Sequence, residues 1–198
     1  GKEYKGVLDK AVFKAKDSTV ELGSASLINA ALTADNSQFT VGNISAKNSQ
    51  IAINGTVNFN DTRSEIYGGT FAADDLNFTG DYSLIRFCDG AKAEINNLNS
   101  DDHCTVIDIN TSDYDISKGQ GADVTIHQMT LDKESEVQLE KGALHSDKVS
   151  LDNGAQIFAN NGTKAEIQNL TADHSSRLDV GSYDDDDMVV TTLADVTI

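Results

Sequence analysis

KAEIQNLTADHS, Lys164 to Ser175, is the second of two copies; the first, KAEINNLNSDDH, occupies Lys92 to His103. Each copy opens on Lys-Ala-Glu-Ile, carries an Asn-Leu pair at the same place, and runs into an acidic turn that holds a histidine. Self-similarity at a fixed spacing marks a repeat architecture, in which each unit covers the apolar face of the one before it. The alignment makes Ile95 equivalent to Ile167 and Leu98 equivalent to Leu170, and predicts that all four point inward.

Outward from this repeat, short apolar pairs recur along the chain: Val20 and Leu22, Phe39 and Val41, Ile51 and Ile53, Ile66, Leu84 and Ile85, Val106 with Ile107 and Ile109, Val137 and Leu139, Ile157, then Leu178 and Val180. Alternation over a few residues, closed each time by Gly, Asn or Asp, is a strand signal. The steps from Ile85 to Val106 and from Val137 to Ile157 are each close to twenty, and the step between them, Val106 to Val137, is about ten longer. Together these three steps equal the offset between the two copies of the repeat. The earlier steps, from Val20 to Phe39, Ile51, Ile66 and Ile85, range from about twelve to about nineteen. Two short strands and two turns fill about twenty residues, the coil of a parallel β-solenoid. The expected fold is therefore all-β, a parallel β-helix of about nine or ten coils over residues 18–198, with residues 1–17 as an incomplete coil or cap. At about 4.8 Å per coil such a rod is roughly 40 to 45 Å long. Ala30 to Ala34 hint at helix, but the flanking turns leave no room for one. Phe59, Phe71, Phe78 and Phe87 are expected to stack inside the coil; an aromatic platform for sugar rings is the alternative use.

The composition agrees with a thin rod. Only 38% of the 198 residues are hydrophobic, and there is neither Trp nor Pro. The formal net charge is −17, from 32 acidic and 15 basic residues. That balance argues against nucleic acid, whose phosphates need a basic surface, and against docking on an anionic membrane. It suits a soluble protein outside the cell. No apolar run approaches the length of a membrane span, and no signal peptide is present. The opening GKEYKGVLDK does not look like an initiator, and the final LADVTI is a strand without a cap. The chain is expected to be a segment of a longer protein, with targeting signals and further domains outside it.

Cys88 and Cys104 are the only cysteines, and they lie within about a coil of one another. If the interval is one coil, they meet on adjacent rungs and form a disulfide, worth about 3 kcal/mol in the chain-entropy model and implying an oxidising compartment; two unrelated thiols are the alternative. Only His103 beside Cys104 approaches a zinc spacing, so no metal site is expected.

The extra residues of the long step fall in NTSDYDISKGQGA, residues 110–122. Loops that leave a solenoid often carry recognition, and here Tyr114 lies between Asp113 and Asp115. These three are the candidate binding residues; a tolerated insertion is the other reading.

Catalytic signatures are missing. There is no Gly-x-Ser-x-Gly or Gly-Asp-Ser-Gly, no phosphate loop and no His-Glu-x-x-His. His103 and His174 read as turn residues, and His127 and His145 are scattered. The run Asp184 to Asp187 has the oxygens calcium prefers but no EF-hand spacing, and reads as a solvated turn. A pectate-lyase-like site needs an arginine or lysine base among carboxylates on one face; Arg63, Arg86 and Arg177 are the only arginines, and of these Arg86 and Arg177 fall on strands. A regular Thr-x-Thr array, the mark of an ice-binding face, is absent. The expectation is a protein that is not an enzyme and carries no cofactor.

The rungs STVELGSASL, SQFTVGNISAKNSQIAING, SEVQLEKGALHSDKVSLDNGAQI and AEIQNLTADHSSRLDV resemble the passenger stem of a Gram-negative autotransporter over nearly the whole chain from Ser18. The phrasing is most similar to the stems of IgA-protease-like serine protease autotransporters and to self-associating adhesins. The resemblance implies a right-handed β-helix, carried to the cell surface or secreted by a barrel not present here. It also implies few, closely spaced cysteines, as Cys88 and Cys104 are. The family's catalytic serine motif has no match. The implied role is that of a non-catalytic stem serving adhesion or self-association, its partner a second copy or a host surface ligand. A spacer and folding scaffold for a protease domain elsewhere, or a polysaccharide-active solenoid, are the alternatives.

Overall fold

The computed structural model describes residues 3–111, 119–159, 163–180 and 193–197. They form strands, turns and bends without a helix. In chain order the strands are β1 (Glu3–Asp9), β2 (Val12–Lys16), β3 (Thr19–Ile28), β4 (Ala31–Asn60), β5 (Arg63–Gly80), β6 (Leu84–Cys88), β7 (Lys92–Asp102), β8 (Thr105–Ile109), β9 (Ala122–Leu131), β10 (Glu136–Leu139), β11 (Gly142–Leu151), β12 (Gln156–Ala159), β13 (Lys164–Ala172), β14 (Arg177–Val180) and β15 (Leu193–Thr197). All pairings between them are parallel and join each coil to the next: a β-solenoid of about eight turns. The residues expected as an incomplete coil or cap form the first rungs, β1 on β3 and β2 on β4.

Each coil is a triangle. Its three straight sides present two or three inward residues apiece, and at the corners successive residues face outward. In β7, Ala93, Ile95, Leu98 and Ser100 are buried while Asn96 is exposed and Asn97 half-buried, so the strand bends between Ile95 and Leu98. We call the sides faces A, B and C, carried by β6, by the first half of β7 and by its second half. One inward column on face A runs Leu27, Ala46, Ile66, Phe87, Ile109, Leu139, Ala159, each paired with the next. One on face C runs Val57, Leu76, Leu98, Met129, Val149, Leu170. Parallel stacking brings similar side chains above one another, which is how a narrow core closes with few apolar residues.

The corners are written in the sequence as Asn, Asp and Ser. Asp17 and Asn36 have φ of 48°, Asn29 48° and Asn48 49°, the left-handed conformation these residues tolerate best. After two of them an inward serine closes the corner. Ser37 and Ser49 donate to the carbonyls of Asp35 and Lys47 at 2.9 and 3.0 Å. They accept from the N–H groups of Ser18 and Ala30, one coil earlier, at 3.3 and 3.1 Å. A buried hydroxyl thus keeps both its donor and its acceptor paired.

Several expectations hold. Ile95, Ile126, Ser146 and Ile167 occupy one inward column, and Leu98, Met129, Val149 and Leu170 another, so the two copies of the repeat are rungs of one ladder. Phe59, Phe71, Phe78 and Phe87 are all buried. Phe59 stacks on Phe78 at 5.1 Å, and Phe71 meets Phe87 edge-on at 5.6 Å, which leaves none of the four as a platform for sugars.

Two expectations are corrected. The coils number about eight, not nine or ten. The short steps from Phe39 to Ile51 and on to Ile66 are not short coils: Phe39 lies on face C, Ile51 on face B and Ile66 on face A. Partners one coil apart are separated by 18 to 22 residues, by 30 or 31 where the insertion falls, and by 26 between β13 and β15. The disulfide is not formed, and both cysteines are free thiols. Register explains it: β6 and β8 set Arg86 against Asp108 and Phe87 against Ile109, an offset of 22 residues, longer than the interval between the cysteines. Cys88 closes its rung and Cys104 precedes the next, about six residues or 20 Å apart along the strand direction. A disulfide needs Cα atoms within about 7 Å.

Candidate functional site

The proposed binding residues Asp113, Tyr114 and Asp115 lie outside the described residues, as does the run Asp184 to Asp187. The side chains that the coils do bring together fall on three outward surfaces.

On face A, register alone assembles a charged strut. Glu65 pairs with Arg86, and Arg86 with Asp108. Arg86 Nε donates to Asp108 Oδ2 at 2.6 Å and Nη1 reaches Glu65 Oε1 at 3.5 Å, while the Tyr67 hydroxyl donates to Glu65. Convergence of an arginine with carboxylates is what a pectate-lyase-like site requires, and Arg86 meets it. Its chemistry points elsewhere. Burial opposes the guanidinium charge, but the hydrogen bond and charge of Asp108, with Glu65 behind them, outweigh that and raise Arg86 above its ordinary value. A group so firmly cationic cannot accept a proton from a substrate. Burial and the Glu65 hydrogen bond likewise push the Tyr67 hydroxyl up. Nearby, burial and the Asp89 charge push the Cys88 thiol up to about 12, which leaves it protonated and unreactive. Arg177 pairs with Asp179 at 3.1 Å and Gln156 at 3.1 Å; the Arg63 backbone N–H is held by Asn43 at 3.1 Å.

Face B and the corner after it carry two histidines that scattered spacing had hidden. His127 lies between Asp147 at 2.7 Å from Nδ1 and Glu94 at 2.9 Å from Nε2. His145 lies between Glu166 at 2.7 Å from Nδ1 and Asp123 at 3.4 Å from Nε2. Lys164 reaches Glu166 at 2.5 Å. The signal in the sequence is one coil length: Asp147 is 20 residues after His127 and Glu166 is 21 after His145. By contrast His103 and His174 are exposed residues of a bend and a turn, as expected.

Face C differs from both. Its central outward row is Asn58, Asn77, Asn99, Thr130, Ser150 and Thr171, paired in register through six successive coils without one charge. The asparagines form an amide ladder: Asn77 Nδ2 donates to Asn58 Oδ1 at 3.1 Å, and Asn99 Nδ2 to Asn77 Oδ1 at 3.1 Å. Each amide in such a ladder has a second N–H and a second lone pair for an outside partner. At about 4.8 Å per rung the row is about 24 Å long. On a chain of net charge −17 the row itself carries none, but its edge is acidic: Asp101, Asp132, Asp152 and Asp173 follow two residues after Asn99, Thr130, Ser150 and Thr171, and the Ser150 hydroxyl donates to Asp152 at 3.3 Å.

Among the described residues no group of three or more His, Cys, Asp or Glu is arranged to hold a metal ion. No family model, no curated protein and no solved structure matches the chain.

Proposed function

We propose that this chain is a non-catalytic length of an autotransporter-like passenger, displayed on the cell surface or secreted, that serves adhesion or self-association. The observation that carries the reading is the uncharged row on face C, set on a rigid β-solenoid that is otherwise strongly acidic. Charged groups stay solvated and repel a second acidic surface, whereas amides and hydroxyls exchange water for a partner's donors and acceptors at little cost. Regular spacing lets many weak bonds act together. The alternative is a spacer that only holds another domain away from the cell.

The test is to charge the row. In cells displaying the segment, Asn99→Asp with Thr130→Asp should abolish sedimentation of cell aggregates. Thr33→Asp, outward on face B, should leave aggregation as in the parent. Association of the parent should strengthen as salt screens the net charge. If the parent neither aggregates nor binds a host surface while its β-spectrum is intact, the spacer reading stands instead. Deleting residues 112–121 tests separately whether the insertion contributes.

A further inference from the structure

We infer that His127 is a pH-operated clamp that closes the seam left by the insertion, holding the coil after it onto the coil before it. The insertion separates β8 from β9, so partners one coil apart across it, such as Thr105 with Glu136 and Asn110 with Glu140, are 31 and 30 residues apart. In the next coil Asp132 and Asn153 are 21 residues apart, and Glu136 and Gln156 are 20. At this seam the chain has its longest loop to close, and the face B contact between β7 and β9 has no short connection to enforce it. His127 sits on β9 at the corner of this seam. It reaches back across it to Glu94 on β7 and forward to Asp147 on β11. One side chain therefore ties three coils together.

The geometry sets the protonation state. Both ring nitrogens face carboxylate oxygens, at 2.7 and 2.9 Å. A carboxylate only accepts, and a neutral imidazole has a single N–H, so both contacts are hydrogen bonds only when the ring is an imidazolium. Loss of the proton turns one of them into a lone pair facing an anion. The surrounding charges act in the same direction. From β7 the ring meets Glu94; from β11 it meets Asp147, with Lys148 next in sequence and His145 two residues before; its own strand contributes Asp123, which is engaged by His145. The hydrogen bonds to Asp147 and Glu94 raise His127 above its ordinary value of about 6.5.

The sign follows. A group whose folded pKa is raised stabilises fully below its unfolded pKa and loses that contribution as pH rises through the folded one. The clamp is therefore closed in mildly acidic surroundings and released as pH rises through the raised folded value. The ring is partly exposed, with 39% of its side-chain surface accessible, so the effect is local and modest.

The direct test is nitrogen-detected NMR of the intact segment. The His127 imidazole should carry protons on both nitrogens at pH 6.5 and titrate above the ordinary value, and Glu94→Gln and Asp147→Asn should each lower the midpoint. Amide exchange, corrected for intrinsic rate, should show β9 amides that pair with β7 less protected at pH 9 than at pH 6. The expected change is up to about fivefold, the ceiling for exposed ion pairs. His127→Gln should remove that dependence, and β12 amides should serve as the unaffected reference. A midpoint at or below the ordinary value overturns the clamp, as does a pH dependence in β9 that His127→Gln leaves unchanged.

Discussion

Replacing Phe78 with alanine opens a hole where two rings stack in the core. Phe78 is 1% exposed and its ring lies on Phe59 at 5.1 Å with an interplanar angle of 18°. Above and below it in register are Phe59 and Ser100. Neither a small hydroxyl nor a ring held by its own rung can move in to fill the space, so the cost should fall in the range for buried Phe→Ala, about 3 to 5 kcal/mol. At a urea slope near 2 kcal/mol/M this lowers the midpoint by about 2 M. The stacked pair adds a further signature. Phe59→Ala and Phe78→Ala together should cost about 1 kcal/mol less than the sum of the two, because the stack can be lost only once. Asn77→Ala, on the same strand but outward, should cost no more than about 1 kcal/mol. The assay is urea unfolding followed by far-ultraviolet circular dichroism. Equal midpoints for Phe78→Ala and Asn77→Ala would refute the inward and outward assignment of face C.

Two further substitutions probe the stacking. Gly42→Ala would place its Cβ 1.7 Å from the Gly23 carbonyl oxygen and 2.6 Å from the carbonyl carbon, so two coils must separate at that corner. Gly154→Ala meets only the flexible Glu134 side chain at 3.3 Å and should cost about 1 kcal/mol, from its φ of +86°. A thermal melt in which Gly154→Ala is the more damaging of the two would contradict the coil contact. Ile167→Asp buries a carboxyl at a site 1% exposed, between Ser146 and Leu193 in register, and should cost several kcal/mol. A melting temperature equal to the parent's would mean that the repeat alignment is wrong.

How far the sequence reached can be read from these residues. Ile95 and Ile167 were legible as equivalents because both copies keep the same neighbours, and parallel stacking turns equal sequence into equal position. The triangular cross-section was not legible. Apolar pairs on all three faces look alike, so the steps from Phe39 to Ile51 and Ile66 pass for short coils until hydrogen bonds assign them to faces. The cysteines failed for the same reason: the interval from Cys88 to Cys104 is near a coil length, but a shortfall of a few residues in register is a whole side of the triangle. The strut of Glu65, Arg86 and Asp108 and the His127 cluster depend on partners 20 to 33 residues apart. Those distances become contacts only once each coil, insertion included, has its own length.

The direction of the hydrogen bonds has a mechanical side. In this solenoid they run along the rod axis, from each coil to the next, so pulling the two chain ends apart loads the rungs one at a time. A coil of 21 residues, such as that from Glu65 to Arg86, adds only about 4.8 Å to the folded rod. Drawn out, the same coil spans about 70 Å. Peeling the end coil exchanges a few ångströms of rod for more than ten times that length of slack, and leaves the coils behind it paired. Under tension such a stem yields in steps and takes up work at each one, in the manner of a tearing ligament, where a globular domain of the same size would fail all at once.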